Sequence, residues 1–403
     1  MQNKKLLIII FIITMIVTRT QSLRVAILGS GVTGSTVART LADRGVQVTV
    51  FEAGYGIGGR TSTRITRDDA QYQFDHGAQY IAKPKTDTFQ KTLDQWKRDG
   101  WVKEWTGKFG TVGRSSEDDQ CTIQIEDSSD TKERWVGYPA MNSICRNLLH
   151  HENIQVILQT KAHAIYKKDD DQDSKWDLLH GKENNHLGTF DWLVVTDRNS
   201  GAHFRKDLSS ANMDEFRKSV RSIRSVKSLA AMVVFDKPLN LEMDAIQFDP
   251  KNYGAFGSLG WAARDTSKPG RDRKDGKECW VLQSHPHAAN EILKGMKSIE
   301  KIREKAKDVL VHDFVQSLSY LASSNNKNIP VPKVEYSVGH RWGAAFPIPS
   351  KDYTELNSEL FPDQKCVTCG DYFGTLSGRI EGAYLSGISA ADQLLCEENF
   401  ANE

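Results

Sequence analysis

The 403-residue chain has no tandem repeat, no heptad pattern and no Pro-rich tract, which excludes solenoids, long coiled coils and collagen-like or linker-dominated architectures. It also lacks a charge of dominant sign. With 53 Lys and Arg against 52 Asp and Glu, the formal net charge is +1, so no broad field draws the molecule to nucleic acid or to an anionic membrane surface. Metal-ligand spacing is missing too: Cys366-Val367-Thr368-Cys369 is the one C-x-x-C, with no second pair and no H-x-x-x-H to complete a zinc site. Its two cysteines read either as a redox pair or as small apolar residues of a buried strand, and the strand is the simpler reading. The six cysteines are an even number, which permits disulfides, but they are scattered, and no N-x-S/T sequon accompanies them. No Ser-His-Asp set or paired carboxylates suggest hydrolysis.

Long apolar runs are equally scarce. The longest is the 12-residue stretch Leu6–Val17, preceded by Lys4 and Lys5 and followed by Thr18-Arg19-Thr20-Gln21-Ser22. As a helix it extends about 18 Å, short of a hydrocarbon core of about 30 Å. Residues 1–22 are therefore expected to be a secretory signal peptide, which directs the chain to the secretory pathway or outside the cell and leaves no stable membrane span after removal. The alternative is an uncleaved short membrane anchor.

What is present begins at Arg24. Val25–Leu28 reads as a strand, Gly29-Ser30-Gly31-Val32-Thr33-Gly34 as a G-x-G-x-x-G turn, the residues to about Arg44 as a helix, and Val46–Phe51 as a second strand ending on Glu52. The context gives the glycines their meaning. Gly29 permits the tight turn, Gly31 admits a pyrophosphate to the backbone of Gly31, Val32 and Thr33, and Gly34 allows close helix packing. Phosphates then sit at a helix N-terminus, and Glu52 accepts hydrogen bonds from an adenosine ribose. A second glycine run, Gly56-Ile57-Gly58-Gly59-Arg60, follows where it meets the same pyrophosphate, with an arginine able to grip phosphate bidentately.

These motifs resemble the FAD-dependent amine oxidase superfamily and, within it, the renalase-like flavoproteins. The match continues with Asp75-His76-Gly77-Ala78-Gln79-Tyr80 and resumes at Cys369-Gly370-Asp371 and Glu381-Gly382-Ala383-Tyr384-Leu385-Ser386-Gly387. Thr196-Asp197-Arg198-Asn199 departs from it, standing where the family often has T-x-P. The resemblance implies an α/β fold: a Rossmann-type FAD-binding domain, made of a parallel sheet plus a β-meander, with a second α+β substrate domain built on an antiparallel sheet. The FAD domain is expected from residues 23–80, 135–200 and 356–398, and the substrate domain from 81–134 and 201–355. FAD contacts are implied at Ala78, Gln79 and Tyr80, at the backbone near Ala162, at Asp371, and at the helix opening on Glu381, Gly382 and Ala383. Because Cys366 and Cys369 lie too close to Asp371 to tether a flavin, the FAD is expected to be non-covalent. Trp342, in His340-Arg341-Trp342, and Tyr80 are the implied catalytic residues, with Arg341 offering charge to a carboxamide or phosphate.

By the same resemblance, hydride passes from a reduced pyridine nucleotide to FAD, and O2 reoxidises it to give H2O2. An amine or polyamine oxidase and a non-catalytic FAD-binding scaffold are the alternatives, whereas an NAD dehydrogenase leaves Gly58-Gly59-Arg60 and the C-terminal motif unused.

Local patterns supply the rest. Thr86–Asp99 reads as a helix with Phe89, Leu93 and Trp96 on one face, and Ile299–Ala322 as a long one striped by Leu310, Phe314, Leu318 and Leu321. Trp101–Gln120 reads as a hairpin turning at Gly107, Gly110 and Gly113. Lys161–Tyr166, Trp176–His180 and Phe190–Thr196 read as the three meander strands. Ser228–Phe235, Cys279–Gln283, Ala255–Trp261 and Val334–Val338 read as strands of the second domain, and Asp265–Lys277 as a solvated loop. His285-Pro286-His287 is an H-x-H, with a surface pair the simpler reading.

Overall fold

In a computed structural model, the described residues are 22–398 apart from 70, 115–120, 127–131, 168–173, 197–223, 253, 322–330 and 349–354. The leader up to Gln21 and the 197–199 departure lie outside them, as do the polar stretches 115–119 and 169–173 and most of 126–132, whose composition reads as loop. No helix among the described residues is long and apolar enough to cross a membrane.

A six-stranded sheet is drawn from distant parts of the chain. Its order is Ile154–Ile157, Gln47–Phe51, Arg24–Leu28, Trp192–Val195, Cys366–Cys369 and Ser358–Phe361. All neighbours pair in parallel except the last two. Both faces are covered, as a parallel sheet requires. Val25 and Ile27 point to a helical layer with Val37, Leu41, Ala390 and Leu394, while Ala26 and Leu28 meet the meander through Ala164, Trp176 and Phe190. The helices are α1 (Val32–Ala42), α2 (Asp87–Arg98), α3 (Ser143–Leu149), α4 (Pro286–Ile292), α5 (Ile299–Leu321) and α6 (Ile380–Glu397).

The expected third meander strand, Phe190–Thr196, belongs to another sheet, and the strand that takes its place lies just before it. Asn185–Phe190 completes the three-stranded meander, whereas Trp192–Val195, four fully buried apolar residues, enters the parallel sheet beside Arg24–Leu28. Asn185–Phe190 buries only Phe190 and carries little apolar pattern, so the buried run Trp192–Val195 beside it gave the stronger strand signal.

The second sheet has seven strands, ordered Val334–Ile348, Arg224–Phe235, Glu278–Ser284, Leu259–Arg264, Ala245–Phe248, Phe109–Arg114 and Cys121–Ile125. α5 covers one face with Leu310, Phe314 and Leu318 packed on Leu229, Val233 and Leu282. The opposite face carries Met232, Val234 and Val281 against Tyr72 and Phe74.

The proposed hairpin from Trp101 to Gln120 does not form. Val102–Glu104 pairs with Arg134–Gly137 in a small sheet, and Phe109–Arg114 joins the large one with Gly110 and Gly113 inside the strand. Gly110 serves a close approach there, since a Cβ would lie 2.3 Å from Met243 Sδ. The strand expected at Ala255–Trp261 is shifted to Leu259–Arg264. Val334–Val338 is only the first third of a 15-residue strand that carries His340, Arg341 and Trp342 within it.

Candidate functional site

Between the two large sheets lies a continuous cavity of about 2490 Å³, more than twice the upper end of about 1,000 Å³ usual for a drug-sized ligand. Its floor is the glycine turn. Gly29 has φ +104, and a Cβ on it would fall 2.5 Å from Thr196 Oγ1, so neither the backbone nor the space admits a side chain. Gly31 caps α1 without any side-chain acceptor, and the first turn carries no acid. The helix therefore opens on the cavity with unsatisfied N–H groups and the positive end of its dipole. The second glycine run rests directly on the first: Gly58 N donates to Ser30 O at 3.1 Å, and a Cβ on Gly59 would stand 3.2 Å from Gly31 Cα.

Glu52 ends its strand at the cavity edge. Its carboxylate accepts from Ser30 N at 3.0 Å, Ser30 Oγ at 2.6 Å and Gly54 N at 2.6 Å. Ala162 lines the same end of the chamber from the meander. Arg60, assigned from sequence to a phosphate, grips the carboxylate of Asp371 in a fork, Nη1–Oδ2 2.7 Å and Nη2–Oδ1 2.5 Å, with a further bond to Ala345 O at 3.2 Å. This fork joins residues 311 positions apart.

The His76–Tyr80 segment forms another wall, and its carbonyls are held from the second sheet. Trp342 Nε1 donates to His76 O at 2.9 Å and Gln283 Nε2 to Gly77 O at 2.7 Å, while Ala78 N donates to Arg60 O at 2.8 Å. Trp342 stacks on His76, ring centroids 5.1 Å apart at 23°, and His340 packs against both rings. Tyr80 lies 6.0 Å from the ring of Trp261, which shares the wall. Burial pushes His76 down to about 4. Burial, then His76, Arg303 and Arg64, push His340 down to about 3. Both imidazoles are neutral at physiological pH.

Of the sequence-predicted site residues, Gly34 and Gly382 stand apart from the cavity lining, packed against the backbone of Gly29 and Leu376. Gly29, Gly31, Val32, Thr33, Glu52, Arg60, Ala78, Gln79, Tyr80, Ala162, Trp342, Asp371, Glu381 and Ala383 all line it. Glu381 also caps α2, accepting from Lys85 N at 2.9 Å, Thr86 N at 2.8 Å and Thr86 Oγ1 at 2.9 Å. His285 caps α4, its Nδ1 accepting from His287 N at 3.3 Å, and no metal-binding group of three or more His, Cys, Asp or Glu occurs among the described residues. Cys366 and Cys369 form a buried strand, and burial raises both thiols.

The expectation of a solvated loop at Asp265–Lys277 fails at its first half. Asp265, Lys268 and Arg271 are buried with Asp75 in a neutral ion network. Arg271 Nη2 lies 2.7 Å from Asp75 Oδ2, and Lys268 Nζ reaches Asp265, Asp75 and, at 3.3 Å, Gln79 Oε1. Burial alone would raise the Asp75 carboxyl, but Arg271 and Lys268 hold it below the usual range. The network anchors the root of the His76–Tyr80 wall. Sequence reasoning missed it because the acids and bases balance in composition. The one available signal was their i, i+3, i+6 spacing.

Residues 27–96 match the NAD(P)-binding Rossmann-like domain family. Among solved structures, cyclohexylamine oxidase from Brevibacterium oxydans IH-35A is similar with a TM-score of 0.64 at 12% identity, over 94% of this chain and 100% of that one. A protein from Exiguobacterium sp. 255-15 assigned as a protoporphyrinogen oxidase is similar with a TM-score of 0.63 at 11% identity, over 94% of this chain and 99% of that one. The chain thus has the α/β fold of these two proteins along almost its whole length, with a Rossmann-like unit at its N-terminal end.

Proposed function

We propose that the protein is an FAD-dependent oxidoreductase that holds its cofactor non-covalently and oxidises a small molecule, with O2 as the final acceptor and H2O2 as product. One observation carries this reading: the glycine turn, Glu52 and the Asp371–Ala383 segment, from opposite ends of the chain, line one chamber and are joined there by the Arg60–Asp371 fork. The residues present fit the cofactor. Two stacked glycine turns leave space where a Cβ would intrude, an uncapped helix N-terminus faces that space, and a carboxylate stands at the end of the second strand. Among the described residues no cysteine lines the chamber, which supports a non-covalent flavin.

When bound, a flavin supplies acceptance of a hydride and its delivery to oxygen, which needs little side-chain chemistry. The chain's part is orientation and exclusion of water. Trp342, Gln283 and Gln79 fix the carbonyls of residues 75–77, and Trp342, Tyr80 and Trp261 supply an aromatic wall against which a planar substrate can lie.

The finer reading is a renalase-like oxidase of reduced pyridine nucleotide isomers, on the strength of the Asp75–Tyr80 and Glu381–Gly387 motifs. An amine is the second reading, favoured by the likeness to cyclohexylamine oxidase. Anaerobic titration of the purified protein with dihydronicotinamide isomers and with a panel of amines decides between them. Bleaching of the flavin by a dihydronicotinamide supports the first reading, bleaching by an amine the second, and a flavin that neither class reduces contradicts the enzymatic reading.

A further inference from the structure

Strand register lines up one row of side chains across the second sheet. Gln247 stands opposite Trp261, and Trp261 opposite Gln283; Gln283 stands opposite Ala230, and Ala230 opposite His340. Side chains directly opposite one another share a sheet face, and Gln247, Trp261, Gln283 and His340 all line the chamber. Their face is the one turned away from α5, because the neighbours Ile246, Ala262, Leu282 and Leu229 belong to the core under that helix. No member of the row is charged, since burial holds the His340 imidazole neutral.

The two glutamines are fixed in orientation. Gln247 Nε2 donates to Gly260 O at 2.8 Å and Phe248 O at 3.2 Å, and Gln283 Nε2 to Gly77 O at 2.7 Å and His76 O at 3.3 Å. Each amide thus commits both of its hydrogens to backbone carbonyls, and turning it over would set its oxygen against two others. Neither Oε1 accepts a hydrogen bond among the described residues, and neither is walled off from the open volume. The row therefore offers a ligand two acceptors with an indole between them, and the ring of Tyr80 lies beside that indole. Adjacent strands lie about 4.8 Å apart, which puts about 10 Å between the two glutamine backbones, a span that a planar ring with a polar substituent bridges.

We propose that Gln247 and Gln283 set the chamber's specificity by accepting hydrogen bonds from N–H groups on a planar substrate, a ring that carries a carboxamide or an amino group. A ketone in the same place leaves both acceptors unmatched, and a carboxylate sets oxygen against oxygen. This deepens the oxidoreductase reading, on which it rests only for the word substrate.

The test compares three probes of nearly one shape. Dissociation constants of benzamide, acetophenone and benzoate for the purified holoprotein are measured by ligand-observed NMR. Benzamide and acetophenone differ only by an amino group in place of a methyl. Benzamide is expected to bind about tenfold more tightly than either of the others, the worth of a hydrogen bond made rather than left unmade. Gln247→Leu and Gln283→Leu should each cut the preference for benzamide over acetophenone about threefold or more. General loosening of the fold weakens both probes alike and leaves that ratio unchanged. Acetophenone or benzoate binding as tightly as benzamide, or a preference that neither substitution reduces, would overturn the proposal. The comparison in the parent protein stands even where a variant folds poorly. A protein isolated without flavin defeats the oxidoreductase reading instead, and the probe ratios still decide the row, because Gln247 and Gln283 lie outside the glycine turns. A flavin that a substrate reduces in a protein indifferent to the probes defeats this inference alone.

Discussion

At the scale of single residues, Gly31 separates what the fold needs from what the ligand needs. Its φ of −72 suits any residue, and a Cβ there would find only the backbone of Gly58 and Gly59 at 3.9 Å. Gly31→Ala is therefore expected to leave the stability of the cofactor-free chain within about 0.5 kcal/mol of the parent. FAD affinity should fall tenfold or more, about 1.4 kcal/mol, because the methyl occupies the path of the pyrophosphate. Equilibrium unfolding together with FAD titration checks both halves. His76 gives a pH dependence. Its folded value near 4 lies below the ordinary 6.5, so between those values the unfolded chain binds the proton and the folded chain does not. Stability falls as pH drops from about 6.5 to about 4, by an amount on the order of 3 kcal/mol. Thermal melts across that window should show the slope; His340, pushed down to about 3, adds to it, so His76→Phe should reduce the slope and leave the part that belongs to His340.

At the scale of elements, the Asp265–Arg271 turn acts as a buried clasp between the second sheet and the root of the His76–Tyr80 wall. Lys268→Met leaves Asp265 uncompensated in the core and is expected to cost roughly 3–5 kcal/mol, as when one partner of a buried pair is removed. Asp265→Asn in the same chain should recover part of that loss, read by chemical denaturation. The contrast with the glycine turn shows what sequence can carry. Strand, turn, helix and acid from Arg24 to Glu52 were legible because each signal is local and the spacing is fixed by backbone geometry. The stripe of Leu310, Phe314, Leu318 and Leu321 was legible for the same reason, and these side chains are buried. The clasp was not, since what buries Lys268 is Asp75, 193 positions away. The third meander strand escaped because Asn185–Phe190 buries only Phe190 and shows little apolar pattern, while the buried run Trp192–Val195 next to it belongs to the parallel sheet.

At the scale of the whole molecule, the chamber exists because the two ends of the chain meet. The Arg60–Asp371 fork, the contact of α1 with α6 across the helical layer, and the Glu381 cap on α2 all bind the C-terminal segment to the N-terminal one. Asp371→Asn removes the anionic half of the fork and should lower FAD retention, while the parallel sheet, whose core does not include it, stays folded. Flavin content per chain alongside circular dichroism tests that separation.

The most direct measurement is the visible spectrum and flavin stoichiometry of the purified chain, before and after denaturation. A yellow protein is expected, carrying one FAD per chain that denaturation releases intact and that Gly31→Ala and Asp371→Asn both fail to retain fully. A colourless protein that takes up no added FAD, or one whose flavin stays covalently attached after unfolding, would contradict it.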